Sequence, residues 1–128
     1  MEIAIGTKGE VATLVEREDT ALEVGSGVLL VYATPCMAAL MEGAACEALE
    51  GLIDEGKTTV GTELSISHIS ATPVGMEVRA VAEVTAVEGS IISFTVTAYD
   101  EAGKIGEGTH KRAVVTTQRF LDKVYAKL

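Results

Sequence analysis

The sequence predicts an α+β fold in which an antiparallel sheet wraps one long apolar helix. Three observations carry this. Residues 35–53, PCMAALMEGAACEALEGLI, consist largely of good helix formers with apolar positions at helical spacing. The hydrophobic period then changes from about 3.6 to 2 and stays there almost to the C-terminus. The links between the alternating segments are short, which makes neighbouring strands antiparallel.

Residues 9–16, GEVATLVE, alternate through Val11, Thr13 and Val15 and predict a first strand. Residues 18–33 are ambiguous, and Val28 to Tyr32 fits either a short strand or a helical turn. Thr34 suits the N-cap of the long helix and Pro35 its first position. Met37, Leu40, Met41, Ala44, Ala45, Ala48, Leu49 and Leu52 form its apolar stripe, and Gly56 is the expected stop. Residues 58–68 place Val60, Leu64, Ile66 and His68 on one face of a strand, and Thr72-Pro73-Val74-Gly75 is a turn. Residues 76–87 put Met76, Val78, Ala80, Ala82 and Val84 on one face. Glu88-Gly89-Ser90 is a hairpin link. Residues 91–99 put Ile92, Phe94, Val96 and Ala98 inward, residues 100–103 turn, residues 104–118 form the last strand, and residues 119–127 add a short helix. A helix of this length spans roughly 28 Å, comparable to the strands, and it lacks a wide polar face. A sheet curled round a single such helix is the hot-dog architecture, and it occupies one domain, residues 1–128.

Composition excludes several classes of function. The net charge of −9 is wrong for binding nucleic acid through phosphate contacts, although a few local cations can hold a small anion. No apolar run reaches the ~18 residues of a membrane span, and the N-terminus does not read as a signal peptide. Cys36 and Cys46, ten residues apart on one helix, lie roughly 15 Å apart and cannot pair. They read as free thiols in a reducing cytoplasm. Two histidines without ligand-spaced cysteines predict no metal site.

Glu42 falls on the apolar arc of the helix, with Ala38, Ala39, Ala45 and Cys46 one turn away. A carboxylate there is costly unless it is paired or opens into a cleft, so it is either a snorkelling or structural group or a reactive one. His68 ends the inward face of its strand just before a turn; it is a satisfied core histidine or a proton carrier. The Thr34 hydroxyl either caps the helix or, beside its free N–H groups, meets a substrate. In Gly106-Glu107-Gly108-Thr109-His110-Lys111-Arg112 the glycines bare one face of the last strand to a close backbone or ligand. His110 and Arg112 there are site groups or a solvated basic edge. Gly106-x-Gly108 lacks the third glycine of a dinucleotide loop.

Taken together, Tyr32-Ala33-Thr34, Leu40-Met41-Glu42, Thr59-Val60-Gly61-Thr62, Ser67-His68, Ala71-Thr72-Pro73-Val74-Gly75 and Gly106-x-Gly108-Thr109-His110-x-Arg112 resemble the fluoroacetyl-CoA thioesterase group of hot-dog proteins, over roughly residues 30–120. The resemblance implies an acyl-CoA thioesterase. Glu42 would be its base or nucleophile, Thr34 would orient or attack, and His68 would shuttle protons. It also implies that the backbone near Gly61 binds the carbonyl oxygen and that His110 and Arg112 lie by the site. CoA would be part of the substrate, no separate cofactor would be needed, and a homodimer would form edge to edge with sites at the junction. The family's fluoroacetyl-specific enzyme carries phenylalanines before its reactive threonine. Residues 23–29 here, EVGSGVL, have none, which implies another short or medium acyl group. Two alternatives compete: a non-catalytic acyl-CoA binding module, and a hydratase or dehydratase. The second needs an Asp five residues before a His, which neither histidine has.

Overall fold

The computed structural model describes residues 2–128. In chain order the elements are β1 (Lys8–Leu14), a 3-10 turn (Arg17–Asp19), α1 (Ala21–Val24), α2 (Thr34–Ala48), β2 (Lys57–His68), β3 (Glu77–Glu88), β4 (Ile91–Asp100), β5 (Gly103–Thr116) and α3 (Thr117–Tyr125). The strands form one sheet in the order β1-β3-β4-β5-β2, with every neighbouring pair antiparallel. β1 and β2 are therefore its edges.

The period-2 segments face the core as their alternation requires. Val78, Ala80, Ala82 and Val84 of β3 and Ile92, Phe94, Val96 and Ala98 of β4 are all buried. Met37, Met41, Ala44, Ala45 and Ala48 of α2 pack onto them. A large side chain fully buried in this way is worth roughly 1.5–3 kcal/mol. The alanines let the helix sit low. At Gly9 of β1 a Cβ would collide with the backbone of Ala44 and Ala48, so that position must be glycine for β1 to lie against α2. α2 covers β1, β3 and β4 and meets β2 only slightly. The inner face of the β2 edge is thus left half open, with Leu64, Ile66 and His68 each partly buried.

Three expectations are corrected. The central helix is Thr34–Ala48 rather than 35–53, because residues 49–53 leave it through turns, with Gly51 already in the left-handed region at φ 75°. Thr34 is not the cap: Ala33 holds that position without a side-chain bond, and Thr34 is the first helical residue. Val60 does not share a face with Leu64, Ile66 and His68. A β-bulge at Thr62 breaks the pairing with β5 between Gly61–Arg112 and Glu63–Lys111, so Thr59 and Gly61 take the inward face before it. The bare glycines of β5 take the first of the two readings left open for them, a close approach by protein. A Cβ on Gly106 would strike the Met37 side chain, and one on Gly108 would strike the backbone at Ser65 and Ile66. The ambiguous stretch 18–33 holds the 3-10 turn, α1 and two isolated bridges, Thr20–Tyr32 and Val31–Pro73.

Candidate active site

Two side-chain clusters lie along the helix where it overhangs β2. The first joins Thr34 to His68. Tyr32 N donates to Thr72 O at 2.8 Å and Ala33 N to Asp19 O at 2.9 Å, which fixes the chain entering α2. Ile69 N donates to Ile105 O at 2.7 Å, which fixes the chain leaving β2. Between these anchors Thr34 Oγ1 and His68 Nδ1 are 2.7 Å apart, a full hydrogen bond. Because Thr34 is not spent on capping, its hydroxyl is available for this bond. The His68 ring is half-buried, and burial pushes its pKa below the usual 6.5, with the Ser70 backbone opposing. Its Nε2 is buried without a hydrogen-bond partner among the described residues. A neutral imidazole bonded to a hydroxyl is the arrangement for moving a proton at that oxygen. The pair opens on a pocket of about 260 Å³, also lined by Ala21, Ser26, Val31 and Ile69.

The second cluster holds Glu42. Its Oε2 lies 3.5 Å from Arg112 Nη1, with the Glu42 side chain 42% exposed and that of Arg112 only 9%. The guanidinium is held by Thr59, with Nε donating to Oγ1 at 2.9 Å and Nη2 to the backbone O at 3.1 Å. Arg112 Nη1 also lies 3.2 Å from His110 Nε2, and His110 Nδ1 lies 2.8 Å from Glu63 O. The carbonyl requires an N–H at Nδ1, so Nε2 is the acceptor and His110 is neutral and locked in one tautomer. Phe94 stacks on the ring at 5.9 Å. His110 and Arg112 are therefore buried, not a solvated edge. Gly61 faces the cluster, and a Cβ there would stand 2.5 Å from Glu42 Oε2. The glycine makes room for the carboxylate over β2.

The chain thus pairs Thr34 with His68, and gathers Glu42, Gly61, His110 and Arg112 into one group. Glu42 does not touch the Thr34–His68 pair. Eight helical residues separate Thr34 and Glu42 by about 12 Å along the axis. Sequence reasoning missed Thr59, which takes two bonds from Arg112. Only the bulge, which aligns Thr59 inward, could have revealed it. Cys36 and Cys46 are free, as expected. Among the described residues no group of three or more His, Cys, Asp or Glu could hold a metal ion, and no helix is long and apolar enough to cross a membrane.

A five-stranded antiparallel sheet over one helix, with a hydroxyl, an imidazole and a carboxylate along the helix–edge seam, defines a hot-dog protein of the thioesterase superfamily. The fluoroacetyl-CoA-specific thioesterase family matches residues 15–118, and the chain belongs to that family. It is 40% identical over 97 residues to the fluoroacetyl-CoA thioesterase of Streptantibioticus cattleyicolor, spanning 76% of this chain and 70% of that enzyme. The solved structure of a fluoroacetyl-CoA thioesterase superposes with a TM-score of 0.94 at 31% identity, covering 100% of this chain and 99% of the other. A thioesterase superfamily member from Thermus thermophilus superposes with a TM-score of 0.90 at 28% identity, covering 98% and 93%.

Proposed function

We propose that this acyl-CoA thioesterase hydrolyses a short or medium acyl thioester at the Thr34–His68 pocket, with Glu42 working on the same carbonyl from further along α2. The observation that carries the reading is the 2.7 Å Thr34–His68 bond on the pocket wall. The thioester lies between that pair and the carboxylate. Glu42, held by Arg112, takes a proton from water as the water oxygen bonds to the acyl carbon. The C–S bond then breaks, and the departing thiolate takes up the proton that Glu42 drew from water, relayed through the Thr34–His68 pair, so that the carboxylate and the neutral imidazole are both restored. Net, one water is consumed, and a carboxylic acid and CoA thiol are released. A backbone N–H beside Gly61 faces the developing oxyanion, since at the start of α2 Pro35 has no N–H and those of Cys36 and Met37 are bonded to Ala33 O. No metal or separate cofactor is required by this chemistry. Labelling with ¹⁸O-water under single-turnover conditions separates water attack from direct attack by Glu42, since only the latter places label in the carboxylate.

The proposed assembly is a homodimer in the cytoplasm, joined through β2. That strand is an unpaired edge, and its inner face is only partly covered by α2. Pairing two copies there closes both. Sedimentation at micromolar concentration should give a dimer, and a stable monomer would refute it. Steady-state release of free thiol from a panel of acyl-CoAs tests the catalytic reading. Tight binding without thiol release would assign the chain to a non-catalytic acyl-CoA module instead.

A further inference from the structure

We infer that α3 of one copy lies across the mouth of the Thr34–His68 pocket of a second copy. This rests on the β2-edge dimer proposed above and adds to it a set of residues that would complete the site in trans.

The first observation is that α3 leaves much of its apolar face exposed. On a 100° wheel Phe120, Leu121, Val124 and Leu128 share one arc, with Tyr125 at its margin. No residue of α3 is buried, and Phe120, Leu121 and Val124 stay 37–40% exposed while Tyr125 is 63% exposed. A nine-residue helix gains its stability from packing that face, so a second surface is called for. Another exposed apolar surface adjoins the pocket: Ile69 on its wall is 58% exposed, and Val28 and Leu29, between the lining residues Ser26 and Val31, are 82% and 64% exposed.

The second observation is charge. Arg119, Lys123 and Lys127 recur every four residues along one flank of α3, against the single acid Asp122. The segment beside the pocket is the reverse: Arg17 pairs with Glu23 at 2.9 Å, which leaves Glu16, Glu18 and Asp19 with no base among them. These acids crowd one another, and the neighbouring Glu18 pushes the pKa of Glu16 up. Both the apolar and the charged features of one surface therefore match those of the other. An anionic membrane would fit the basic flank, but would repel a chain of net charge −9 that exposes an acidic lobe.

The third observation is placement. α3 sits at the Lys57 end of β2: Thr116 pairs with Lys57, and Thr117 N donates to Gly56 O at 3.0 Å. The acidic, apolar rim sits at the His68 end, where Ile69 follows directly. A strand of twelve residues holds these ends roughly 40 Å apart, so one chain cannot bring its own two surfaces together. Antiparallel pairing of β2 with its copy about a two-fold axis near mid-strand sets each Lys57 end against the other's His68 end. The contact then forms twice, as a self-complementary interface must. The partner's Phe120 and Tyr125 would supply the aromatic roof that residues 23–29 lack.

The test is charge reversal in the full chain, read as the dimer dissociation constant by sedimentation at low salt. Lys123→Glu with Lys127→Glu should weaken the dimer about tenfold, because the loss occurs at two symmetric contacts. Glu16→Lys with Glu18→Lys should do the same, and the four changes together should return the constant to within about threefold of the unmodified chain. A combined variant as weak as the product of the two single effects overturns the inference. So do reversals that leave a dimeric parent chain unchanged, and that result spares the β2 dimer itself. A monomeric parent chain defeats the dimer and the inference together. Binding of the parent chain to phosphatidylserine vesicles that Lys123→Glu with Lys127→Glu abolishes, with self-association unaltered, assigns α3 to membranes and also overturns it.

Discussion

Replacing Arg112 by lysine separates the structural work of that residue from its charge. Arg112 donates to Thr59 Oγ1, the Thr59 carbonyl and His110 Nε2, and it faces Glu42 at 3.5 Å. The Glu42 carboxylate is 42% exposed, so the ion pair contributes less than about 1 kcal/mol. The hydrogen bonds matter more. A lysine ammonium keeps the charge but reaches at most one of the three acceptors. His110 Nε2 is then left buried without a donor, at a cost of ~1–3 kcal/mol, and with one bond to Thr59 kept the loss of the other adds about 1 kcal/mol. The expected total is about 2–4 kcal/mol. Thermal unfolding at fixed protein concentration should register this as a fall of about 8–16 °C, at roughly 4 °C per kcal/mol for a domain of this size. Glu42→Gln removes the charge pair and none of those three bonds, so its melting temperature should stay within a few degrees of the parent's. An Arg112→Lys chain that melts within about 2 °C of the parent would show that the hydrogen-bond fork carries no weight and would refute the argument.

Glu42→Gln should lower turnover by several orders of magnitude while Thr34→Ser, which keeps the hydroxyl, changes it little; comparable losses in both would move the main chemistry to Thr34. Gly61→Ala places a Cβ 2.5 Å from Glu42 Oε2 and 3.3 Å from Arg112 Nη1, so it should displace the carboxylate and lower kcat while sedimentation still shows the parent assembly. The depressed pKa of His68 keeps the ring neutral down to a pH below 6.5, so kcat/KM should hold through neutrality and fall only in more acid solution. The same shift has a sign for stability: below 6.5 the unfolded chain binds this proton before the folded one does, so acid should weaken folding there, and His68→Gln should flatten that part of the pH–stability curve. The specificity constant should rise from acetyl- to butyryl-CoA by about fourfold per methylene, from ~0.8 kcal/mol of burial each, with no fluoroacetyl optimum beyond its intrinsic reactivity. A sharp fluoroacetyl optimum would disprove the substrate assignment.

Local pattern was enough for every strand, for the existence of the central helix and for the inward faces of β3 and β4, because side-chain period depends on backbone geometry within a few residues. Val78 to Val84 and Ile92 to Ala98 are buried where alternation places them. The candidate residues were legible too: Glu42 stood out as a carboxylate on an apolar arc, and His68 as a histidine closing an inward face. Their partners were not. Thr34 and His68 meet across 34 residues of sequence, and Arg112 meets Thr59 across 53. Contacts of that separation follow from strand order and register, which no local pattern encodes. The bulge at Thr62 shows the limit most clearly: strict alternation put Val60 inside, whereas one extra residue turns Thr59 and Gly61 toward Glu42 and Arg112. The helix terminus shows another. Leu49, Glu50, Leu52 and Ile53 suit a helix, yet the chain leaves it after Ala48 through the left-handed Gly51 to reach the start of β2. The sequence by itself determined which elements form and which side chains are chemically unusual. Tertiary structure decided which of those side chains touch, because register and helix placement minimise the energy of the whole sheet and core rather than of any one segment.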